Sequence, residues 1–103
     1  MRLVVATVKP FQARAVLESL DGIEIISGNV REVMGFGRQK SQLHRYLGSE
    51  YNSSFVPKVQ ISLILPDEAV EEATRRIAAA AQTGRMGDGK ILVLPCLDSH
   101  VSW

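Results

Sequence analysis

From Gly35 to Lys58 the chain reads GFGRQKSQLHRYLGSEYNSSFVPK, with neither the period of 2 of a strand nor the period of 3.6 of a helix. Alternating apolar runs stand on both sides of it. Two such runs pair most simply as a hairpin, yet hairpin loops take about 2–5 residues. A structureless loop above about 12–15 residues inside a compact domain is either functional or disordered. Composition favours function here. The stretch is not low in complexity, it sets Arg38, Lys40, Arg45 and Lys58 against the single acid Glu50, and it carries Tyr46, Tyr51 and Phe55. A ligand at its base or a partner at its tip would order such a loop.

The segments around it supply the rest of the fold. Arg2 to Val8 is a continuous, β-branched run bounded by Lys9-Pro10, which suits a central strand covered on both faces. Pro10 fixes φ at the start of a helix over Phe11 to Leu20, whose apolar positions are Ala13, Val16, Leu17 and Leu20. Asp21-Gly22 closes it, with Gly22 suited to a left-handed cap. Ile23 to Met34 reads as a second strand, in which Gly28 marks a bulge or a close backbone approach. Val59 to Leu65 alternates as a third. Asp67 is placed to cap a second helix with Glu68, Glu71 and Glu72 in its first turns and an apolar stripe of Val70, Ala73, Ile77, Ala80 and Ala81. After a glycine-rich turn, Ile91 to Leu94 forms a fourth strand, ended by Pro95. Strand, helix, strand, strand, helix, strand is the split βαβ order of the α+β ferredoxin-like fold. That fold is a four-stranded antiparallel sheet with both helices on one face. The other face, apolar along the first strand, is expected to pack on another chain.

Length and charge narrow the classes. A chain of 103 residues suits one domain over 1–103. A net charge of +1 gives no global field for nucleic acid, and no strand carries a stacking aromatic of the kind RNA-recognition domains use. Cys96 is the only cysteine, so neither an internal disulfide nor a four-cysteine zinc site can form. The apolar run at the start ends at Lys9 without a cleavage site, and no stretch reaches the roughly 20 apolar residues of a membrane helix. The expectation is cytoplasmic. His44 and His100 belong to no metal-spaced cluster, and Cys96 lacks a nearby basic motif, so an enzyme is not expected.

Gly84-Arg85-Met86-Gly87-Asp88-Gly89-Lys90 has the spacing of a phosphate-binding P-loop, but the next residue is Ile91 where Ser or Thr should reach magnesium. The context is also reversed, since a P-loop follows a strand and opens a helix. The P-loop NTPase reading is rejected. Amides freed by Gly87 and Gly89 can still form an anion-binding nest, with Lys90 adding charge. An ordinary tight turn with one surface lysine accounts for the local sequence equally well.

Taken together, Val8-Lys9-Pro10-Phe11, Gly35-Phe36-Gly37-Arg38-Gln39-Lys40, Gly48-Ser49-Glu50-Tyr51, Phe55-Val56-Pro57-Lys58 and Thr83 through Ile91 resemble the PII family of nitrogen-regulatory signalling proteins, in order and spacing, over the chain up to Pro95. The resemblance implies a homotrimer of ferredoxin-like subunits whose sheets pack around a threefold axis. It implies ATP or ADP in the clefts between subunits, with 2-oxoglutarate beside Mg-ATP. Gly35, Phe36, Gly37, Arg38 and Gln39 would lie at the loop base by the phosphates, and Gly87, Asp88, Gly89 and Lys90 would hold them. Gln39 would help coordinate magnesium with ATP and 2-oxoglutarate, and Lys58 would pair with a 2-oxoglutarate carboxylate. The loop at about 36–57 would be the T-loop, which docks into a target enzyme or membrane transporter. Tyr51 matches the uridylylated tyrosine of some relatives and Ser49 the phosphorylated serine of others. An unmodified exposed loop residue fits either position as well.

Three positions depart from the family pattern. Val101 and Trp103 stand where relatives carry two arginines that reach ATP phosphates, each such contact being worth about 1.5–3 kcal/mol. Leu47 stands where relatives carry the loop-tip arginine that enters an ammonium channel. Asn29, Ser62 and Ile64 match the adenine-recognising region only in part. These departures define an alternative function, a divergent PII-like sensor of ADP or AMP that regulates a transporter or a carbon or metal process without sensing 2-oxoglutarate.

Overall fold

A computed structural model describes residues 1–35, 56–84 and 89–96. The elements are β1 (Arg2–Val8), a 3-10 turn (Pro10–Gln12), α1 (Ala13–Ser19), β2 (Ser27–Gly35), β3 (Val56–Leu65), α2 (Asp67–Ala81) and β4 (Gly89–Pro95). The strands form one antiparallel sheet in the order β2-β3-β1-β4. With the helices inserted after β1 and β3, this is the expected ferredoxin-like arrangement.

Alternation along the strands explains where the core lies. Val4, Ala6 and Val8 of β1 and Val59, Ile61, Leu63 and Leu65 of β3 are buried together with Val16 and Leu20 of the first helical segment and Val70, Ala73, Ile77 and Ala81 of α2. Both helices therefore cover one face. Each fully buried Ile or Leu contributes about 1.5–3 kcal/mol by leaving water. The residues between them, such as Val5, Ser62 and Ile64, lie on the opposite, open face and are only half-buried. β4, at the sheet edge, leaves Leu92, Val93 and Leu94 exposed.

The boundaries differ from expectation in instructive ways. The first helix does not start at Phe11. Pro10 opens a 3-10 turn closed by Gln12 N–H to the Lys9 carbonyl at 2.9 Å, and α-helical pairing begins only at Ala13. Leu17, expected on the buried stripe, is exposed and lines a shallow groove that no other described residue covers, with Ile25 beside it. Ile23 to Ile26 stay outside β2. The Ile23 amide closes the turn after α1 by bonding the Leu20 carbonyl at 3.0 Å, and sheet pairing starts with Ile26 N–H to the Ile64 carbonyl at 2.9 Å. Gly22 takes the predicted left-handed conformation at φ 84°. No bulge occurs at Gly28, since the register runs unbroken from Ser27 to Gly35. A Cβ there would meet Leu63 Cδ2 at 2.9 Å and the Ser62 carbonyl oxygen at 3.2 Å, so the close approach was the correct alternative.

β3 begins at Val56, three residues earlier than its alternation suggested, and includes Pro57. β1 reaches only as far as Val8, opposite Val59, so at Pro57 the strand has β2 on one side and no β1 on the other. A proline that cannot donate is tolerated at such a one-sided position. β4 likewise extends beyond Ile91–Leu94 to Gly89 and Pro95. Asp67 is not the N-cap of α2. Pro66 occupies that position without a side-chain cap, and the Asp67 carboxylate instead pairs with the Met1 ammonium at 2.9 Å. The two helices are tied by Arg76, whose Nη1 donates to the carbonyls of Ser19 (3.2 Å) and Asp21 (2.8 Å) at the end of α1. Its Nε donates to Glu72 Oε2 at 2.7 Å.

Candidate functional site

The register brings the motif-bearing segments to one end of the sheet. Val8, the last residue of β1, lies between Val59 of β3 and Gly89 of β4. Lys9 leaves the sheet there. Lys58 is the next residue out along β3, opposite Val33 of β2, and Gly35 ends β2 opposite Val56. α2 ends at Ala81, and Gln82 lines a cleft of about 290 Å³ together with Val8, Ile77, Ala78, Ala81, Gly89, Lys90 and Ile91. Gly35, Lys58, Gly89 and Lys90 are thus gathered where the long loop and the glycine-rich turn both leave the sheet. Phe36, Gly37, Arg38, Gln39, Gly87, Asp88, Ser49 and Tyr51 lie outside the described residues.

Gly89 is required by space. A Cβ at this position would stand 2.4 Å from the Thr7 carbonyl oxygen, inside the strand pair itself. The turn must therefore deliver a bare backbone against β1, and this places Lys90 opposite Thr7 on the open face. Lys58, Gln60, Ser62 and Ile64 of β3 share that face, since they alternate with buried Val59, Ile61, Leu63 and Leu65. Asn29 and Ser62, which the family resemblance assigns to one region, are direct cross-strand partners there.

The electrostatics of this end are cationic. Among the described residues Lys9 lies just past β1, Lys58 on β3 and Lys90 on β4, and the only acid in any of the four strands, Glu32, faces the helix side opposite Val59. The carboxylates with displaced titration lie elsewhere. Hydrogen bonding to the N-terminal ammonium, and its charge, hold the Asp67 carboxyl below its ordinary range. Hydrogen bonds from Arg75 and Arg76 do the same for Glu72. No group of three or more His, Cys, Asp and Glu side chains able to hold a metal occurs among the described residues. A groove of about 580 Å³ beside the end of α1, lined by Leu17, Leu20, Ile23, Ile25 and Leu63, contains none of the candidate residues. Sequence reasoning passed over Arg31, whose Nε donates to Gln60 Oε1 at 2.9 Å on the open face. The signal was available in the alternation that pairs positions 31 and 60, but only once the register was fixed.

Comparison with known proteins agrees with this geometry. A sequence model of the family described as Nitrogen regulatory protein P-II matches residues 1–102. The chain is 45% identical over 93 residues to the nitrogen regulatory protein P-II of Haemophilus influenzae, an alignment covering 90% of this chain and 83% of the relative. The protein of the same name from Rhizobium etli is 46% identical, and nitrogen regulatory protein GlnK of Escherichia coli K12 is 44% identical, each with the same coverage. The chain belongs to the nitrogen regulatory protein P-II family, whose members are regulatory signal-transduction proteins and not enzymes.

Proposed function

We propose that this protein is a single-domain, cytoplasmic, homotrimeric sensor that binds ATP or ADP in clefts between subunits and, with Mg-ATP, 2-oxoglutarate. It controls target enzymes or transporters of nitrogen metabolism through residues 36–57. The observation that carries the reading is the convergence of Gly35, Lys58, Gly89 and Lys90 at one sheet end in a chain of this family. Those residues suit an anionic ligand. Gly89 allows backbone to approach closely, and two lysines stand on one face without an acid in the strands beside them. A triphosphate and a dicarboxylate held together need several cations. In this reading Gly87, Asp88, Gly89 and Lys90 hold phosphates with Gly37 and Arg38, Gln39 shares magnesium, and Lys58 takes a carboxylate. Tyr51 and Ser49 are the positions at which a cognate enzyme would modify the loop. The half-buried open face, with Leu3, Val5 and Ile64, supplies the contact between subunits.

The second reading, a sensor of ADP or AMP without 2-oxoglutarate, is favoured by Val101 and Trp103 at positions where phosphate-binding arginines are expected. Calorimetric titration with ATP, ADP and AMP, followed by 2-oxoglutarate in the presence of Mg-ATP, separates the two. Binding of 2-oxoglutarate that depends on Mg-ATP, and is lost in Lys58→Gln, supports the first. Tight ADP or AMP binding without any 2-oxoglutarate signal supports the second. No nucleotide binding at all overturns both.

A further inference from the structure

Resting on the nucleotide-sensor reading, we infer that Arg31 is a further anion-binding residue of this site, held in place by Gln60. Arg31, Gln60, Thr7 and Lys90 form one straight rank across all four strands of the open face, because Arg31 pairs with Gln60, Gln60 with Thr7, and Thr7 with Lys90. Lys58 stands one rank further out on the same face, diagonal to Arg31, at the roughly 7–8 Å spacing of such neighbours. This end of the open face therefore presents three cations. The remaining ranks toward the other end carry Asn29, Ser62, Val5 and Leu92, then Ser27, Ile64, Leu3 and Leu94, with no charge among them.

Two features make Arg31 a binder rather than a solvated surface cation. Its Nε is already bonded to Gln60 Oε1 at 2.9 Å, which fixes the plane of the guanidinium before any ligand arrives. Its terminal nitrogens have no partner among the described residues, and no carboxylate of the strands shares their face. A planar fork with unused donors matches an oxyanion, whether phosphate or carboxylate. When a second copy covers this face, the Arg31 guanidinium is taken out of water with terminal donors to satisfy. An anion between the copies supplies the acceptors, so ligand and assembly stabilise one another.

The test is calorimetry on the full chain with ATP, with adenosine, and with 2-oxoglutarate in the presence of Mg-ATP. Arg31→Gln is expected to weaken ATP or 2-oxoglutarate by about tenfold or more, as loss of a charge-assisted hydrogen bond does, while adenosine binds as before. The arm that weakens identifies the oxyanion as phosphate or carboxylate. Arg31→Lys, which keeps the charge and loses the fork, should fall between wild type and Arg31→Gln. Gln60→Ala should lose a few-fold by releasing the guanidinium. Unchanged affinity in both arms overturns the inference and leaves the sensor reading standing. Equal weakening of adenosine also overturns it, by marking Arg31 as structural. A wild-type chain that binds neither ligand overturns both.

Discussion

The two ends of the sheet are built from the same four strands but in opposite ways. At the end where β1 starts, Leu65 is fully buried and the chain reverses at Pro66 directly into α2. There the charges are matched. Met1 and Arg2 face Asp67, and Arg75 and Arg76 flank Glu72. At the end where β1 stops stand a glycine that tolerates no side chain, lysines on β3 and β4, and Lys9 just past β1. The first end carries these ion pairs. The second gathers Lys58 and Lys90 on one face of the sheet. The contrast separates what holds this protein together from what it binds.

That separation can be broken or sharpened by substitution. Leu65→Ala, at the closed end, should cost about 2–5 kcal/mol by opening a cavity, seen as a lowered denaturant midpoint, yet leave nucleotide affinity unchanged at temperatures where the variant is folded. An affinity loss larger than twofold would show that the two ends are coupled. Gly89→Ala should cost about 1–3 kcal/mol, because its Cβ collides with the Thr7 carbonyl. Unlike Leu65→Ala, it should also abolish tight nucleotide binding in calorimetry. Arg76→Ala should cost about 1 kcal/mol by freeing the carbonyls of Ser19 and Asp21, lower the melting temperature, and leave binding untouched.

The smallest effect is a pH dependence. Glu72 titrates below its ordinary range in the folded chain because Arg75 and Arg76 hydrogen-bond its carboxylate. Its contribution to stability is therefore complete above the unfolded carboxylate pKa and is lost as pH falls through the lower folded value. Glu72→Gln should flatten the acid limb of a stability-against-pH curve below about pH 4.5 and leave the neutral limb unchanged in shape. A variant with the wild-type acid limb would remove Glu72 from the account of the closed end.

Much of this architecture was legible beforehand because periodicity reports burial. β3 through its alternation and α2 through its stripe, with Val70, Ala73, Ile77 and Ala81 buried, were recovered in kind; β1 was recovered as a strand, but only Val4, Ala6 and Val8 are buried and its other face is half-covered rather than covered as its continuous apolar run suggested. The misjudged positions are those where backbone hydrogen bonding overrode pattern. Ile23 is apolar enough for a strand, but its amide serves the turn after α1. Asp67 has the chemistry of a cap, but its carboxylate found the Met1 ammonium instead. Val56 and Pro57 read as loop, because nothing local reveals that β2 continues alongside them. The candidate site was legible in Gly89 and Lys90, whose spacing marked the turn, and in Lys58 through family likeness. Arg31 was not, because its significance depends on which residue lies across the strand.

β2 and β3 run past the end of β1, so the outermost stretch, Val33–Gly35 against Val56–Lys58, is among the described residues a ribbon of two strands with no third beside it. Two-stranded ribbons twist more freely than wide sheets. The base from which residues 36–55 depart is thus a torsional joint, stiff along its length and compliant about its axis. Lys58 sits on the joint and Lys90 on the rigid body. A ligand gripping both would act as a brake on that rotation.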